Sequence, residues 1–196
     1  MFMPIFPQRI QGAAKAYLRI LDRWNSIHSL TSYPPDKRFE ALLLDSATLL
    51  PHLESIPSGS LIADFGSGMG IPAVVIAAYR ADIRVVAIDR NRKKMAFVRQ
   101  AAHELGLDNL STACGSVESM APLNAHFGTA KAVGPLNLLL GWWGRHSLAD
   151  APFFVFKGPS WNPSEVQGDW SYETHPYRLP NLGKRFLVKL TKNQNR

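Results

Sequence analysis

Apolar residues recur at three- and four-residue steps over residues 8–23, where Ile10, Ala13, Ala14, Tyr17, Leu18 and Leu21 share one face of a predicted helix. Lys15, Arg19 and Arg23 recur every four residues on another face. That stripe reads either as an ordinary solvated face or as one that meets phosphates. Trp24-Asn25 follows it, and the prolines of Tyr33-Pro34-Pro35 predict a turn or loop. Asp36 is then expected to cap a second helix, with Phe39, Leu42, Leu43, Ala47 and Leu50 inward. Pro57-Ser58-Gly59 closes this helical preface. From Ser60 the pattern changes to short apolar runs alternating with helical ones. Strands are predicted over 60–65, 84–89, 110–114, 127–132, 152–157 and 184–191, and helices over 71–80, 92–106 and 136–148. This alternation predicts an α/β fold whose mostly parallel sheet is covered on both faces. Ligands of such sheets bind beyond the carboxyl ends of the strands. The last strand is expected to be an antiparallel edge, guarded against further pairing by its lysine. No internal repeat is visible.

The turn between the first strand and its helix carries the most specific chemistry. It reads Asp64-Phe65-Gly66-Ser67-Gly68-Met69-Gly70, and Asp89 ends the next apolar run, nineteen residues after Gly70. A glycine turn lets backbone approach a ligand, and an acid at the tip of the following strand accepts hydrogen bonds from ribose hydroxyls. A dinucleotide fingerprint would place its third glycine at position 71, which is Ile71. An acidic, tightly turned loop suits the positive sulfonium of S-adenosylmethionine better than a pyrophosphate. A nicotinamide-dependent oxidoreductase and a merely connecting turn are the competing readings.

Composition narrows the class. The chain has 196 residues, 46% hydrophobic and 19% charged, the profile of one ordinary globular domain. No run reaches the ~20 apolar residues of a membrane span, and Met1-Phe2-Met3-Pro4 lacks the basic start of a signal peptide. The single Cys114 has no internal disulfide partner, fits a reducing compartment and is expected to be an inert buried thiol. No Cys/His cluster has metal-ligand spacing. A net charge of +7 implies an acidic partner, with nucleic acid ahead of an anionic membrane surface. Arg90, Arg92, Lys93 and Lys94 crowd the start of the helix after Asp89, where cations oppose the helix dipole. Asp89 and Glu118 are the internal candidates to compensate them, and an RNA phosphate is the external one.

These residues, taken in order, resemble the bacterial 16S ribosomal RNA guanine-N7 methyltransferases, the glucose-inhibited division protein B family. The matching pieces include Trp24-Asn25, Leu30-Thr31, Leu44-Asp45-Ser46, the run from Asp64 to Pro72, Asp89, Lys93-Lys94, Phe97-Val98-Arg99-Gln100, His103 to Leu107, Val117-Glu118, Lys157-Gly158 and Gly183-Lys184-Arg185. The glycine loop and the block from Phe97 to Leu107 are the specific parts. The resemblance implies a class I S-adenosylmethionine-dependent methyltransferase fold, Rossmann-like, with a seven-stranded sheet over 59–196 and a helical extension over 1–58. It implies a cofactor site of Asp64, Gly66, Gly68, Gly70, Ile71, Asp89, Val117, Glu118 and Lys131, with Lys131 and Lys157 also at the substrate. Lys15, Arg19, Arg23, Arg92, Lys93, Lys94, Arg99 and Arg185 would face RNA. Trp142, Trp143 and Trp161 are either core or stacking surfaces for an extruded base. The implied protein is a cytoplasmic, metal-free monomer that methylates the N7 of a guanine in small-subunit ribosomal RNA. Five positions depart from the family pattern. Ala41 and Leu42 stand where the family has Arg-His, Ser29 replaces an asparagine, Ser116 replaces an arginine and Lys131 replaces the arginine of a Ser-Arg-Ala motif. Arginine and lysine are not equivalent where a planar fork is required. A non-catalytic or retargeted relative that keeps the cofactor pocket and binds RNA is therefore the alternative.

Overall fold

The computed structural model describes residues 2–193. The first amphipathic helix, α1, runs Gln11–His28 behind a short 3-10 turn, five residues beyond the predicted end. It stops at Ser29, which takes the left-handed conformation at φ 49°. Asparagine tolerates that conformation better than serine, so this departure from the family pattern falls on the helix cap. Pro35 opens α2 (Pro35–Arg38), with Pro34 extended before it, so the second proline is the first helical residue rather than loop. Its missing N–H is one that a helix start leaves unpaired anyway. Asp36 lies inside that first turn and makes no side-chain cap. A π-helical segment, Phe39–Leu44, continues into α3 (Asp45–Ala47). Phe39 is 40% exposed rather than inward, and its ring meets that of Phe6 in an edge-type contact.

The sheet comprises β1 (Leu61–Phe65), β2 (Arg84–Asp89), β3 (Leu110–Cys114), β4 (Phe127–Lys131), β5 (Phe153–Lys157), β6 (Trp170–Leu179) and β7 (Gly183–Lys192). Its order is β3-β2-β1-β4-β5-β7-β6. The first five strands are parallel and the last two antiparallel. β7 is thus not the edge; it pairs with β5 on one side and β6 on the other. β6 was not predicted because its sequence, Trp-Ser-Tyr-Glu-Thr-His-Pro-Tyr-Arg-Leu, is largely polar and holds Pro176. Those are properties of an edge strand, which has one side in solvent and tolerates proline.

Alternate residues of each strand serve opposite faces. Ile62, Val85, Phe127 and Phe154 pack under α1, α4 (Ala73–Tyr79) and α5 (Arg92–Leu105). Ala63, Phe65, Ile88 and Phe153 pack under α6 (Leu136–His146). The N-terminal helices share the first of these cores, so the preface is built into the domain. On the second face Trp143 is fully buried, stacks on Phe153 and donates its indole N–H to the Ala151 carbonyl at 3.0 Å. Gly128 makes room for it, since a Cβ there would meet the Trp143 ring at 2.4 Å. Trp143 is therefore core and has no route to a substrate. Cys114, expected to be buried, ends β3 in an exposed position.

Candidate functional site

The carboxyl ends of β1, β2 and β4 converge on one cavity of about 670 Å³, within the ~300–1,000 Å³ range of small-molecule sites. β1 delivers the chain into the glycine loop. Gly66 takes φ 63°, and a Cβ there would fall 2.6 Å from the methyls of Val133. Only glycine serves at that position, for conformation and for space. The loop is held from three directions. Ser67 N donates to the Ile88 carbonyl at 2.9 Å, Gly68 N donates to Asp89 Oδ2 at 2.9 Å, and the Tyr17 hydroxyl donates to the Met69 carbonyl at 2.9 Å. The other oxygen of Asp89 accepts from Asn91 N at 2.8 Å. Asn91 in turn caps α5, accepting from Lys93 N and Lys94 N. The asparagine cap thus pairs the first backbone N–H groups of α5, and of the crowded cations there Arg90 acts on the charge of Glu118.

Of the expected cofactor residues, Gly66, Gly68, Ile71, Asp89, Val117, Glu118 and Lys131 line the cavity. Gly70 and Asp64 do not. Asp64 is fully buried behind the loop, where Oδ2 accepts from the Ser67 hydroxyl and from Ala73 N and Oδ1 has no hydrogen-bond partner among the described residues. It holds the loop and does not face a ligand. Burial pushes its pKa up to about 7, against the two hydrogen bonds and with added repulsion from Asp89. In an unfolded chain the group titrates near 3.8. Between those values the folded state binds more protons, so this group makes stability fall as pH rises. His52, half-buried beside His175, has its pKa lowered to about 4 by desolvation first and then by its cationic neighbours. From about 4 to 6.5 it gives the opposite slope, because there the unfolded chain binds more protons. Urea unfolding of wild type and Asp64→Asn across pH 4.5–8 separates the two. The stability of wild type relative to the variant should decline with rising pH, by at most about 1.4 kcal/mol per unit, and level off above pH ~7. Parallel curves would remove the assignment.

At the end of the cavity next to β3, Val117 is positioned by His146, whose Nε2 lies 3.0 Å from the Val117 carbonyl. A carbonyl only accepts, so Nε2 carries the proton. Glu118 accepts from the Ser116 hydroxyl, which holds its carboxyl below the ordinary range. Trp142 completes this wall, and its indole helps hold the Glu118 carboxyl below the ordinary range.

The opposite end was not legible as a unit. Asp45 is buried at the start of α3. Its Oδ1 accepts from the Tyr177 hydroxyl at 2.5 Å and from Arg185 Nε at 3.0 Å. Lys131 Nζ lies 2.8 Å from Oδ2 as an ion pair, while its aligned hydrogen bond goes to the Ala41 carbonyl at 2.5 Å. Burial lowers the Lys131 pKa and Asp45 opposes that. Burial also works against the charge of Arg185, but Asp45 and the tyrosines outweigh it and its pKa is raised. Lys131, Arg185, Leu42 and Tyr33 line this end. Three departures from the family pattern, Ala41, Leu42 and Lys131, therefore meet at one place. Asp45 had a sequence signal in Leu44-Asp45-Ser46, but nothing in the sequence linked it to residues 86 and 140 positions away.

Of the other expected site residues only Lys94 reaches the cavity. Lys157 does not line the cavity; it pairs with Glu165 at 2.6 Å and sits over the Trp161 ring at 5.3 Å. Trp161 is likewise outside the cavity wall. Lys94 lines the cavity, and Arg92, Lys93 and Arg99 are exposed on α5. Lys15, Arg19 and Arg23 are exposed on α1, where Arg23 pairs with Glu104 at 2.6 Å. Among the described residues no group of three or more His, Cys, Asp or Glu is placed to hold a metal ion. No described helix is long and apolar enough to cross a membrane.

The family model GidB, described as rRNA small subunit methyltransferase G, matches residues 10–180. A relative of that name from Methylobacillus flagellatus is 44% identical over 117 residues, 59% of this chain and 55% of the relative. Another from Neisseria meningitidis serogroup C is 38% identical over 146 residues, 74% of this chain and 69% of the relative. Among solved structures, a SAM-dependent methyltransferase from Aquifex aeolicus superposes with a TM-score of 0.58 at 15% identity, covering 80% of this chain and 93% of that one. The fold is thus the mixed α/β methyltransferase fold with a seven-stranded, mostly parallel sheet.

Proposed function

The chain belongs to the rRNA small subunit methyltransferase G family, and we propose that it transfers a methyl group from S-adenosylmethionine to the N7 of a guanine in small-subunit ribosomal RNA. One observation carries the reading. The glycine loop and Asp89 are joined by the Gly68 N–Asp89 hydrogen bond, and they border the same cavity as the cationic pair Lys131 and Arg185. The cradle at Gly66 and the cavity volume fit the cofactor. When bound, S-adenosylmethionine supplies an electrophilic methyl group. Asp89 accepts from the ribose hydroxyls with the lone pairs that Gly68 and Asn91 leave free. Val117 and Glu118 border the adenine, and the glycine loop brings backbone close to the methionine portion. Lys131 and Arg185 keep the far end positive, which suits the anionic partners that meet there.

Guanine N7 carries a lone pair and no proton, so the chain needs no general base. Its contribution is alignment and exclusion of water, which together supply several kcal/mol. Lys157 has no part in this scheme. Lys15, Arg19, Arg23, Arg92, Lys93 and Arg99, all exposed, and half-buried Lys94 in the cavity wall are the cations that meet RNA phosphates, in keeping with the net charge of +7. The protein acts in the cytoplasm as a monomer.

The test is transfer of a labelled methyl group to deproteinised small-subunit ribosomal RNA and to assembled subunits. The label is located by strand scission at N7-methylguanine. A single labelled guanine is expected. Micromolar binding of S-adenosylhomocysteine with no transfer to either substrate would instead identify an RNA-binding relative that keeps the pocket. A thermal shift by NAD or NADP alone would indicate an oxidoreductase.

A further inference from the structure

The tryptophans that sequence offered for stacking a base do not reach the target end of the cavity. Trp143 is core, Trp161 lies outside the cavity wall, and Trp142 stands at the end with Val117 and Glu118. Tyr33 is the only other aromatic residue among the described residues that line the cavity. It stands at the end with Leu42, Lys131 and Arg185. Strand order explains the separation. Glu118 follows β3 at one edge of the sheet, whereas Arg185 lies on β7, beyond β1, β4 and β5.

The backbone of Tyr33 is clamped while its ring is not. Buried Arg38 donates from Nε to the Tyr33 carbonyl at 2.8 Å and is itself paired with Asp22. Tyr33 N donates to Thr31 Oγ1 at 3.2 Å, and Thr31 N donates to Asn25 Oδ1 at 2.8 Å. The ring is 39% exposed, has no ring-on-ring contact among the described residues, and its phenol is close enough to act on the charge of Arg185. A rigidly mounted, half-exposed aromatic face that borders a reaction cavity is a stacking platform without its base.

We infer that Tyr33 stacks on the face of the extruded target guanine. The inference rests on the methyl transfer proposed above. In that step the N7 lone pair forms the bond to the methyl carbon, the carbon–sulfur bond breaks, its electron pair stays on sulfur and no proton leaves. Positive charge therefore moves from the sulfonium onto the guanine ring. An electron-rich phenol face attracts a cationic ring more strongly than a neutral one. Tyr33 thus binds the transition state better than the ground state, and its loss lowers kcat as well as raising KM for RNA.

The test compares wild type, Tyr33→Phe, Tyr33→Leu and Tyr33→Ala in steady-state methyl transfer to small-subunit ribosomal RNA. S-adenosylhomocysteine affinity is measured on the same preparations. Leu and Ala are expected to lose roughly tenfold or more in kcat/KM for RNA, part of it in kcat. Phe should stay within about threefold, and all four should bind S-adenosylhomocysteine alike. Tyr33→Leu as active as wild type would overturn the inference and leave the methyltransferase reading standing, as would a parallel loss of S-adenosylhomocysteine affinity. A wild type that binds S-adenosylhomocysteine yet methylates no RNA would overturn both.

Discussion

In calorimetry, Asp89→Ala is expected to weaken S-adenosylhomocysteine binding by about 100-fold or more. A hydrogen bond to a charged group contributes ~1.5–3 kcal/mol, and this carboxylate serves two ribose hydroxyls in the proposed site. It also orders the pocket before any ligand arrives, since Oδ2 holds Gly68 N and Oδ1 holds Asn91 N. The decisive companion is Asp89→Asn. Each carboxylate oxygen already faces a backbone N–H, so an amide must point its own NH₂ at one of them. The asparagine variant should therefore lose nearly as much affinity as the alanine variant. An affinity within threefold of wild type in either variant would remove Asp89 from the ribose site.

Asp45→Ala is expected to lower stability by about 3–5 kcal/mol in urea unfolding, the usual cost of breaking a buried ion pair from one side. Three groups lose their partner together: the Lys131 ammonium, the Arg185 guanidinium and the Tyr177 hydroxyl. The consequences reach the site, because Lys131 and Arg185 line the cavity while Asp45 belongs to the N-terminal helices. Asp45→Asn keeps an acceptor for Tyr177 and Arg185 but loses the charge that balances Lys131, so its cost should fall between wild type and alanine. A loss under ~1 kcal/mol for alanine would mean that water replaces the carboxylate at little cost, and that the cluster does not brace the cavity wall.

The two results divide along the line between local and distant information. The strand–glycine turn–helix from Leu61 to Tyr79 and the acid at the end of β2 are written in contiguous residues. Backbone conformation at Gly66 and Gly68, alternation along β1 and β2, and the spacing to Asp89 are all short-range consequences of sequence. The same holds for the parallel half of the sheet, whose strands β2 and β3 end where the apolar runs end. Polar residues without periodicity were opaque. β6 is a strand because β7 offers it a hydrogen-bonding edge, not because its own residues demand one. Asp45, Lys131, Arg185 and Tyr33 come from four segments that meet only when the N-terminal helices dock on the sheet. Which tryptophan is core and which cation faces the cavity was decided in the same way. The pairing of a buried charge, and the exposure of an aromatic face, depend on neighbours brought together by packing. Sequence alone thus determined the glycine loop and its acid, the half of the cavity proposed for the cofactor, because their geometry is local. Tertiary structure decided the half proposed for the target, because buried charges and aromatic rings acquire their roles from partners far away along the chain.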